Sequence, residues 1–215
     1  SCRLIGHQDT LFTGPLPPKE IEPDGFIGPK QFAPRINGRQ YYKNCYICGD
    51  IDFIFGSATA YFESCVIESL CRTTNANGIQ GYITAASTPE SQEYGYVFSN
   101  CKLISKDCPP NSVYLGRPWR NYAKTVFLEC ALGNHIHECG FHDWKKEDAR
   151  NTVLYAEYRN YPASSADTTS NNRSLNDDIH CIDGRCIPYP HRAEYVCELD
   201  AVQAEHFSKK NVLSG

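Results

Sequence analysis

A short unit centred on cysteine recurs along this chain and constrains its fold more than any other feature of the sequence. Four segments read aromatic, any residue, Asn/Ser/Glu, Cys, any residue, Ile/Leu, and they begin at Tyr42, Phe62, Phe98 and Phe127. Ser1–Leu4 repeats the last four positions of the unit. The five cysteines are separated by 43, 20, 36 and 29 residues. A repeated short unit with variable spacers is typical of a solenoid whose coils stack and whose insertions emerge as loops.

We predict an all-β fold, a parallel β-helix, in which like residues of successive coils form internal ladders. The aromatic residue, the Cys and the Ile/Leu of each unit do not share one alternating phase, so we expect a bend near the Asn/Ser/Glu position. Cysteine in such a ladder behaves as a small buried hydrophobe. A β-sandwich of short regular strands is the alternative fold. The helix-like segment from Asp200 to Lys210 is expected to cap the open end of the solenoid.

The length of 215 residues suits one domain with a proper core, and we predict a single domain over 1–215. Residues 13–39 are rich in Pro and Gly and are expected to form a long loop inserted between the first two units. Residues 163–190 are polar and are expected to be irregular. The chain contains no Met and begins inside a repeat unit. We therefore expect an N-terminally truncated piece that lacks upstream coils.

Charge and hydropathy argue against two classes of partner. The formal net charge is −4 and no block of Lys or Arg stands out, so a nucleic-acid partner is not expected. The longest largely apolar run, Phe53 to Phe62, is too short to span a membrane. We expect a monomer that binds neither nucleic acid nor a membrane. The compartment, secreted or cytoplasmic, and the disulfide state of the twelve cysteines stay open.

Other common chemistries find little support in the sequence. No GxSxG segment marks a serine α/β-hydrolase. The cysteines that could in principle bind zinc are Cys45, Cys48, Cys181 and Cys186. No second CxxC or spaced His pair completes such a site, and His135 and His137 are expected to be solvated or hydrogen-bonded rather than metal ligands. We expect no metal and no organic cofactor.

An acidic residue, Asp52, lies inside the apolar and aromatic segment from Gly49 to Gly56. In a regular strand Asp52 and Asp50 would share one face, although Asp50 is also expected to be a turn residue after Gly49. An ionised Asp is costly to bury unless it has a partner, and Arg117 in a Gly-Arg-Pro-Trp turn is the candidate. The alternatives are a structural hydrogen-bond acceptor for Asp52 and a surface ion pair for Arg117.

Further candidates surround this pair. Asp52 is the favoured nucleophile or base, and Asp9 is the candidate general acid/base, because one protonated and one ionised carboxyl group commonly divide that work. The amide of Gln8 could donate to a developing oxyanion. Phe55 and Trp119 offer flat faces for stacking on sugar rings, although a lone Trp is more often part of a packed core.

Three segments together resemble the signature blocks of the pectin methylesterase (pectinesterase) family. The segments are Gly6-His7-Gln8-Asp9-Thr10-Leu11-Phe12, Gly49-Asp50-Ile51-Asp52-Phe53-Ile54-Phe55-Gly56 and Tyr114-Leu115-Gly116-Arg117-Pro118-Trp119. The resemblance covers residues 1 to about 158, and 192–215 again resembles the family. It implies a single-stranded right-handed parallel β-helix and an esterase that removes methyl esters from galacturonosyl residues of pectin.

The resemblance also implies a role for each candidate residue. Asp52 would attack the ester carbonyl, Asp9 would protonate the departing methanol, and water would then hydrolyse the acyl-enzyme. Arg117 would hold Asp52, and Gln8 would stabilise the oxyanion. Phe55 and Trp119 would contact the sugar. The implied partner is methyl-esterified homogalacturonan or its oligosaccharides.

The chain also departs from the family pattern. A further oxyanion glutamine, expected one coil upstream, is absent from this sequence. The spacer between Asp9 and Asp52 is longer than in plant members and resembles a bacterial branch, and 163–190 has no counterpart. Two alternatives follow: a non-catalytic pectin-binding β-helix, or another pectin-active β-helix enzyme such as a lyase or a galacturonase.

Overall fold

The computed structural model describes residues 1–16, 24, 32, 34–72, 78–163 and 191–214. Within that part, successive coils contribute strands to three sheets. The first sheet contains β1 (Arg3–Ile5), β4 (Tyr46–Gly49), β7 (Val66–Ser69), β10 (Lys102–Ile104), β13 (Ala131–Leu132) and β15 (Tyr161–Pro162). The second contains β2 (Leu11–Thr13), β5 (Ile51–Gly56), β8 (Gly81–Ala86) and β11 (Val113–Gly116). The third contains β3 (Arg39–Lys43), β6 (Thr59–Glu63), β9 (Tyr96–Ser99), β12 (Lys124–Leu128), β14 (Leu154–Tyr158) and β16 (Val196–Glu198).

Each strand pairs with the equivalent strand of the next coil, and all the described strand pairs are parallel. The fold is a parallel β-helix, as the repeat predicts, and it is right-handed, as the family resemblance implies. The β-sandwich alternative is thereby wrong, since a sandwich is built from antiparallel strands.

The repeated aromatic residues form a continuous stack inside the solenoid. Phe62 lies between Tyr42 and Phe98, with ring centroids 4.8 and 4.4 Å apart, and Phe98 stacks on Phe127 at 4.5 Å. The cysteine of each of these four units is buried beside the stack. Burial of such side chains stabilises the fold by roughly 1.5–3 kcal/mol each. The ladders that the repeat predicts are therefore the core of the molecule.

The predicted bend is present at the Asn/Ser/Glu position of every repeat unit that begins with an aromatic residue. Asn44, Ser64, Asn100 and Glu129 each have a φ of 52°, in the left-handed region. Each lies between a strand of the third sheet and a strand of the first, so one left-handed residue makes the corner of the coil. Asn tolerates this conformation well, whereas Ser and Glu adopt it at a cost of about 1 kcal/mol.

A further coil lacks the cysteine and was missed in the sequence. Arg159 has a φ of 48° and takes the corner position, and Asn160 takes the cysteine position. The Asn160 side-chain oxygen accepts from the backbone N–H of Cys130 at 2.9 Å, and its amide donates to Glu157. A polar residue fits there because both ends of its amide are hydrogen-bonded.

The C-terminal helical segment is present but lies elsewhere than expected. Helix α1 (Glu147–Arg150) precedes β14, whereas α2 (Ala201–His206) and α3 (Lys209–Leu213) follow β16, with Asp200 as N-cap of α2. Apolar residues of α2 and α3 pack on the outer surface of the third sheet rather than across the end of the solenoid. This cluster contains Tyr61, Val97, Val126, Ala156, Ala204, Phe207 and Val212. The apolar outer surface of that sheet would otherwise face water, which explains the difference.

Other expectations meet the described residues only in part. Most of the predicted loop 13–39 and nearly all of the tract 163–190, with Cys181 and Cys186, lie outside them. The ten described cysteines are all free thiols. Among the described helices, none has the length and apolar character needed to cross a bilayer.

Candidate active site

Strand β5 is irregular where Asp52 lies. Asp52 has a φ of 51°, and the pairing of β5 with β8 shifts between Ile51 and Ile54. Regular alternation therefore does not hold, and the assumption behind a shared face for Asp50 and Asp52 fails. The Asp50 carboxylate accepts from its neighbour's backbone N–H and lies 3.4 Å from His7 Nδ1. Left-handed backbone at a non-glycine residue inside a strand costs about 1–3 kcal/mol and is concentrated at functional sites.

Arg117 meets Asp52 in a two-pronged ion pair. Its Nε donates to Asp52 Oδ1 at 2.8 Å and its Nη2 donates to Oδ2 at 2.7 Å. The two side chains are only 14% and 10% exposed. The guanidinium carbon lies 3.9 Å from the ring centre of Tyr82 and 3.6 Å from that of Trp144. Two aromatic rings and a carboxylate thus hold the guanidinium in one orientation.

Gly116 allows strand β11 to approach β8 closely just before Arg117. A Cβ atom at this position would lie 2.0 Å from Thr84 Oγ1. The backbone N–H of Arg117 donates to the carbonyl of Thr84 at 2.9 Å, and that of Trp119 donates to Ala86 at 3.0 Å. The Gly-Arg-Pro-Trp turn is therefore anchored on the end of β8.

Asp9 reaches the same place from the preceding coil. Its backbone N–H donates to the carbonyl of Ile51 at 3.1 Å, and its φ is 58°. Partial burial and the charge of Asp52 raise the pKa of Asp9, while Arg117 acts against them. Burial also raises the pKa of Asp52, and its hydrogen bonds to Arg117 counteract that effect. Only Asp52 has the bidentate arginine, so Asp9 is the better suited of the two to hold a proton.

The remaining predicted residues lie in strands of the second sheet or in the turns next to them. Gln8 is exposed in the turn that precedes Asp9. The rings of Phe55 and Trp119 are 5.8 Å apart, and Phe12 extends the group, 5.0 Å from Phe55. Phe12 is a large apolar side chain that is 42% exposed to solvent. The arrangement offers a partly exposed aromatic surface next to a carboxylate pair.

Several residues of this site were missed in the sequence. Tyr82 and Trp144 enclose Arg117, and Lys146 donates from Nζ to the carbonyls of Pro118 and Trp119 at 2.8 and 3.0 Å. Tyr82 belongs to β8, whereas Trp144 and Lys146 lie on the segment that leads into α1. No local motif marks them. Their only signal was an aromatic residue and a lysine in a polar segment, which is common at any surface.

The two histidines of the predicted loop differ from each other. His135 is buried, so the expectation that it is solvated is wrong, and burial lowers its pKa to about 4. Its Nε2 has no hydrogen-bond partner among the described residues. His137 stacks on Tyr114 with ring centroids 4.2 Å apart, and its Nδ1 accepts from the backbone N–H of Cys139. Within the described ranges, no group of three or more His, Cys, Asp or Glu side chains could hold a metal ion.

Comparison with known proteins assigns the family. The sequence profile of the Pectinesterase family matches residues 35–178, a span that contains both Asp52 and Arg117. The chain belongs to the pectinesterase family. The matched span begins inside the resemblance that the three sequence blocks predicted and extends beyond its expected end near residue 158. It includes residues 163–178, which were expected to have no counterpart in the family.

Curated pectinesterases from plants resemble the chain over most of its length. Pectinesterase 31 of Arabidopsis thaliana is 34% identical over 181 residues, which cover 83% of this chain and 47% of that protein. Probable pectinesterase/pectinesterase inhibitor 13 of the same plant is 36% identical over 179 residues, 79% of this chain and 25% of that protein. This chain thus spans between a quarter and a half of these relatives. They give no support to the bacterial-type branch that the long spacer suggested.

Solved pectin methylesterase structures share the fold. The enzyme from Aspergillus niger is 29% identical, with a TM-score of 0.64, over 99% of this chain and 52% of that one. A pectin methylesterase crystallised with a hexasaccharide is 25% identical, with a TM-score of 0.64, over 98% of this chain and 55% of that one. The enzyme from carrot is 22% identical, with a TM-score of 0.69 over 99% of this chain and 55% of that one, which supports the β-helix alone.

Proposed function

We propose that this protein is a carboxylic ester hydrolase that removes methyl esters from galacturonosyl residues of pectin and releases methanol. The observation that carries the proposal is the buried ion pair of Asp52 and Arg117 with Asp9 beside it. The family supplies the substrate class, since a related pectin methylesterase binds a hexasaccharide. We further propose that residues 1–215 form one pectinesterase-like domain.

In the first step, an oxygen of ionised Asp52 attacks the C6 carbonyl carbon of the methyl ester. The carbonyl oxygen becomes an oxyanion, toward which the amide of Gln8 is proposed to donate. The C–O bond to methanol then breaks, and the leaving oxygen takes the proton from Asp9. Asp52 is left in a mixed anhydride with the galacturonosyl carboxyl group.

In the second step, water hydrolyses the anhydride. Asp9, now ionised, removes a proton from water as it attacks the galacturonosyl carbonyl carbon. Asp52 leaves as a carboxylate and Asp9 is protonated again. The sum of both steps is ester plus water to galacturonate plus methanol, with one proton released by the acid product at neutral pH.

The surrounding groups suit this cycle. The two hydrogen bonds from Arg117 favour the ionised nucleophile and fix its orientation, which lowers the cost of reaching the attack geometry. The raised pKa of Asp9 favours the protonated acid at the start of the cycle. Phe55 and Trp119 are proposed to contact the sugar ring, and Phe12 extends their surface.

Methanol release from methyl-esterified homogalacturonan tests the proposal. The variant Asp52→Asn keeps the shape of the side chain but removes the nucleophile, and we expect methanol release to fall at least about a thousandfold. Asp50→Asn is the matched control. It neutralises a buried carboxylate two residues away whose partners are a backbone N–H and His7. We expect this control to retain most of the activity.

The products formed from homogalacturonan distinguish the alternative functions. De-esterification leaves the polymer length unchanged, whereas a lyase yields unsaturated products and a galacturonase yields new reducing ends. Pectin binding without methanol release would favour a non-catalytic binding protein. Undiminished release from Asp52→Asn would reject Asp52 as the nucleophile.

A further inference from the structure

Lys146 is a half-buried lysine whose ammonium group points at the backbone beside Arg117. Its Nζ donates to the carbonyls of Pro118 and Trp119, at 2.8 and 3.0 Å. Pro118 has no N–H of its own, and the N–H of Trp119 is already used on Ala86. The turn is therefore held on one side by β8 and on the other by one ammonium group.

The segment that carries Lys146 is itself firmly placed. Trp144 and Lys145 both have a φ of 56°, and the backbone N–H of Lys145 donates to the Asp143 carboxylate at 2.8 Å. Arg150, in α1, also bonds to Asp143. The side chain of Lys145 is exposed, whereas that of Lys146 is partly buried and its Nζ reaches the turn after Arg117.

One aromatic ring links the ammonium to the ion pair. The Nζ of Lys146 lies 4.4 Å from the ring centre of Trp144, and the same ring lies 3.6 Å from the guanidinium carbon of Arg117. A shift of Lys146 would therefore disturb both the turn that follows Arg117 and the ring packed on its guanidinium. Such coupling through shared packing is typical of residues that fix a catalytic group without touching substrate.

Lys146 and Asp52 affect each other's pKa. Burial, Arg120 and Arg117 lower the pKa of Lys146 to about 8, while Asp52 acts in the opposite direction. Conversely, Arg117 and Lys146 both lower the pKa of Asp52 against the effect of burial. Among the described residues, the ionisable groups that face Asp52 are thus two cations, the carboxyl group of Asp9 and the buried phenol of Tyr155. The charge of Asp52 raises the pKa of both Asp9 and Tyr155.

We propose that Lys146 is a positioning residue for ester hydrolysis, which holds the Pro118–Trp119 turn and places a second positive charge beside Asp52. The inference rests on the proposed function, because Asp52 is its nucleophile. Loss of the charge would raise the pKa of Asp52. The acid limb of the pH profile, in which the rate of methanol release rises as Asp52 ionises, would then move to higher pH. A purely structural lysine would lower activity without moving that limb.

Four variants separate charge from packing. Lys146→Met removes the charge and the donor, Lys146→Gln keeps an N–H donor without charge, and Lys146→Arg keeps both. Lys145→Met is the matched control, since it removes the neighbouring exposed lysine in the same turn. The pKa of Asp52 is measured from the ¹³C signal of its carboxyl group during a pH titration, with the signal assigned through Asp52→Asn. Methanol release is recorded over the same pH range.

We expect Lys146→Met and Lys146→Gln to raise the pKa of Asp52 by about 0.5 to 1 unit, and to move the acid limb equally. Activity at neutral pH should fall about tenfold in the Met variant and less in the Gln variant. Lys146→Arg should restore the titration of Asp52, and Lys145→Met should leave both readouts within error of the parent protein.

An unchanged Asp52 titration in all variants would overturn the inference, as would a shift that Lys146→Arg does not reverse. The titration also keeps the two proposals apart. If the parent protein released no methanol, the proposed function would fail, whereas the carboxyl signal of Asp52 would still decide whether Lys146 acts on it.

Discussion

Among the left-handed residues that the structure describes, those at the corners between the third and first sheets contrast with the one inside strand β5. At the corners, left-handed backbone recurs in coil after coil, at Asn44, Ser64, Asn100 and Glu129. In β5 it occurs at Asp52, whose carboxylate meets an arginine from a later coil. The repeated strain builds the solenoid, whereas the strain at Asp52 interrupts a strand and is offset by an ion pair. The comparison predicts that corner and ladder residues govern stability, whereas residues around Asp52 govern activity.

The largest effect is expected when the ion pair is broken. Arg117→Met leaves the Asp52 carboxylate buried without its partner, so the free energy of unfolding should fall by about 3–5 kcal/mol at pH 7. Methanol release should fall about a thousandfold. Chemical denaturation and the methanol assay measure the two quantities. The double variant with Asp52→Asn should recover most of the stability and none of the activity; a double variant as unstable as Arg117→Met would contradict this account.

Truncation of the aromatic ladder should give the opposite pattern. Phe98 is fully buried between two stacked rings, so Phe98→Ala should lower the free energy of unfolding by about 3–5 kcal/mol. The activity of the molecules that remain folded should be close to that of the parent protein. Val202→Ala, at an 82% exposed position, is the control and should change stability by less than about 0.5 kcal/mol. A large loss of specific activity in Phe98→Ala would show that the ladder also governs activity, which contradicts the comparison.

A corner substitution should produce a small gain. Glu129 is exposed and has a φ of 52°, which Gly and Asn adopt more readily than Glu. Glu129→Asn, which copies the residue of two other corners, should stabilise the fold by about 0.5–1 kcal/mol without changing methanol release. Glu129→Ala leaves the backbone cost in place and serves as the control. Equal stability of the Asn and Ala variants would show that this corner carries no strain.

The smallest expected effect concerns pH and the C-terminal helices. Lys209, Lys43 and Tyr41 donate to Glu63 and lower its pKa to about 2, which ties α3 to the third sheet. A depressed pKa contributes stability that is complete above the unfolded value, near 4.3. It is lost as the pH falls from there toward about 2. Glu63→Gln should therefore be less stable than the parent protein at pH 6, and the difference should shrink at pH 3, as followed by thermal unfolding.

Much of the fold could be read from local patterns. The spacing of Tyr42, Phe62, Phe98 and Phe127 indicates both the ladders and the corners, because each coil repeats one buried unit. The coil with Asn160 escaped this pattern, since an amide replaces the thiol through hydrogen bonds that only the folded coils provide. The helical segment after Asp200 was recognisable from its own residues. Its position was not, because the apolar surface it covers is assembled from several coils.

The sequence by itself determined the solenoid and the pairing of Asp52 with Arg117, because repeated burial and an acid in an apolar segment are each legible in a few adjacent residues. Only the tertiary structure decided what surrounds that pair. Tyr82, Trp144 and Lys146 come from separate segments with no common motif, and the stacking of coils brings them to one guanidinium and one turn. Contacts between coils depend on loop lengths and register, which residue types alone do not specify.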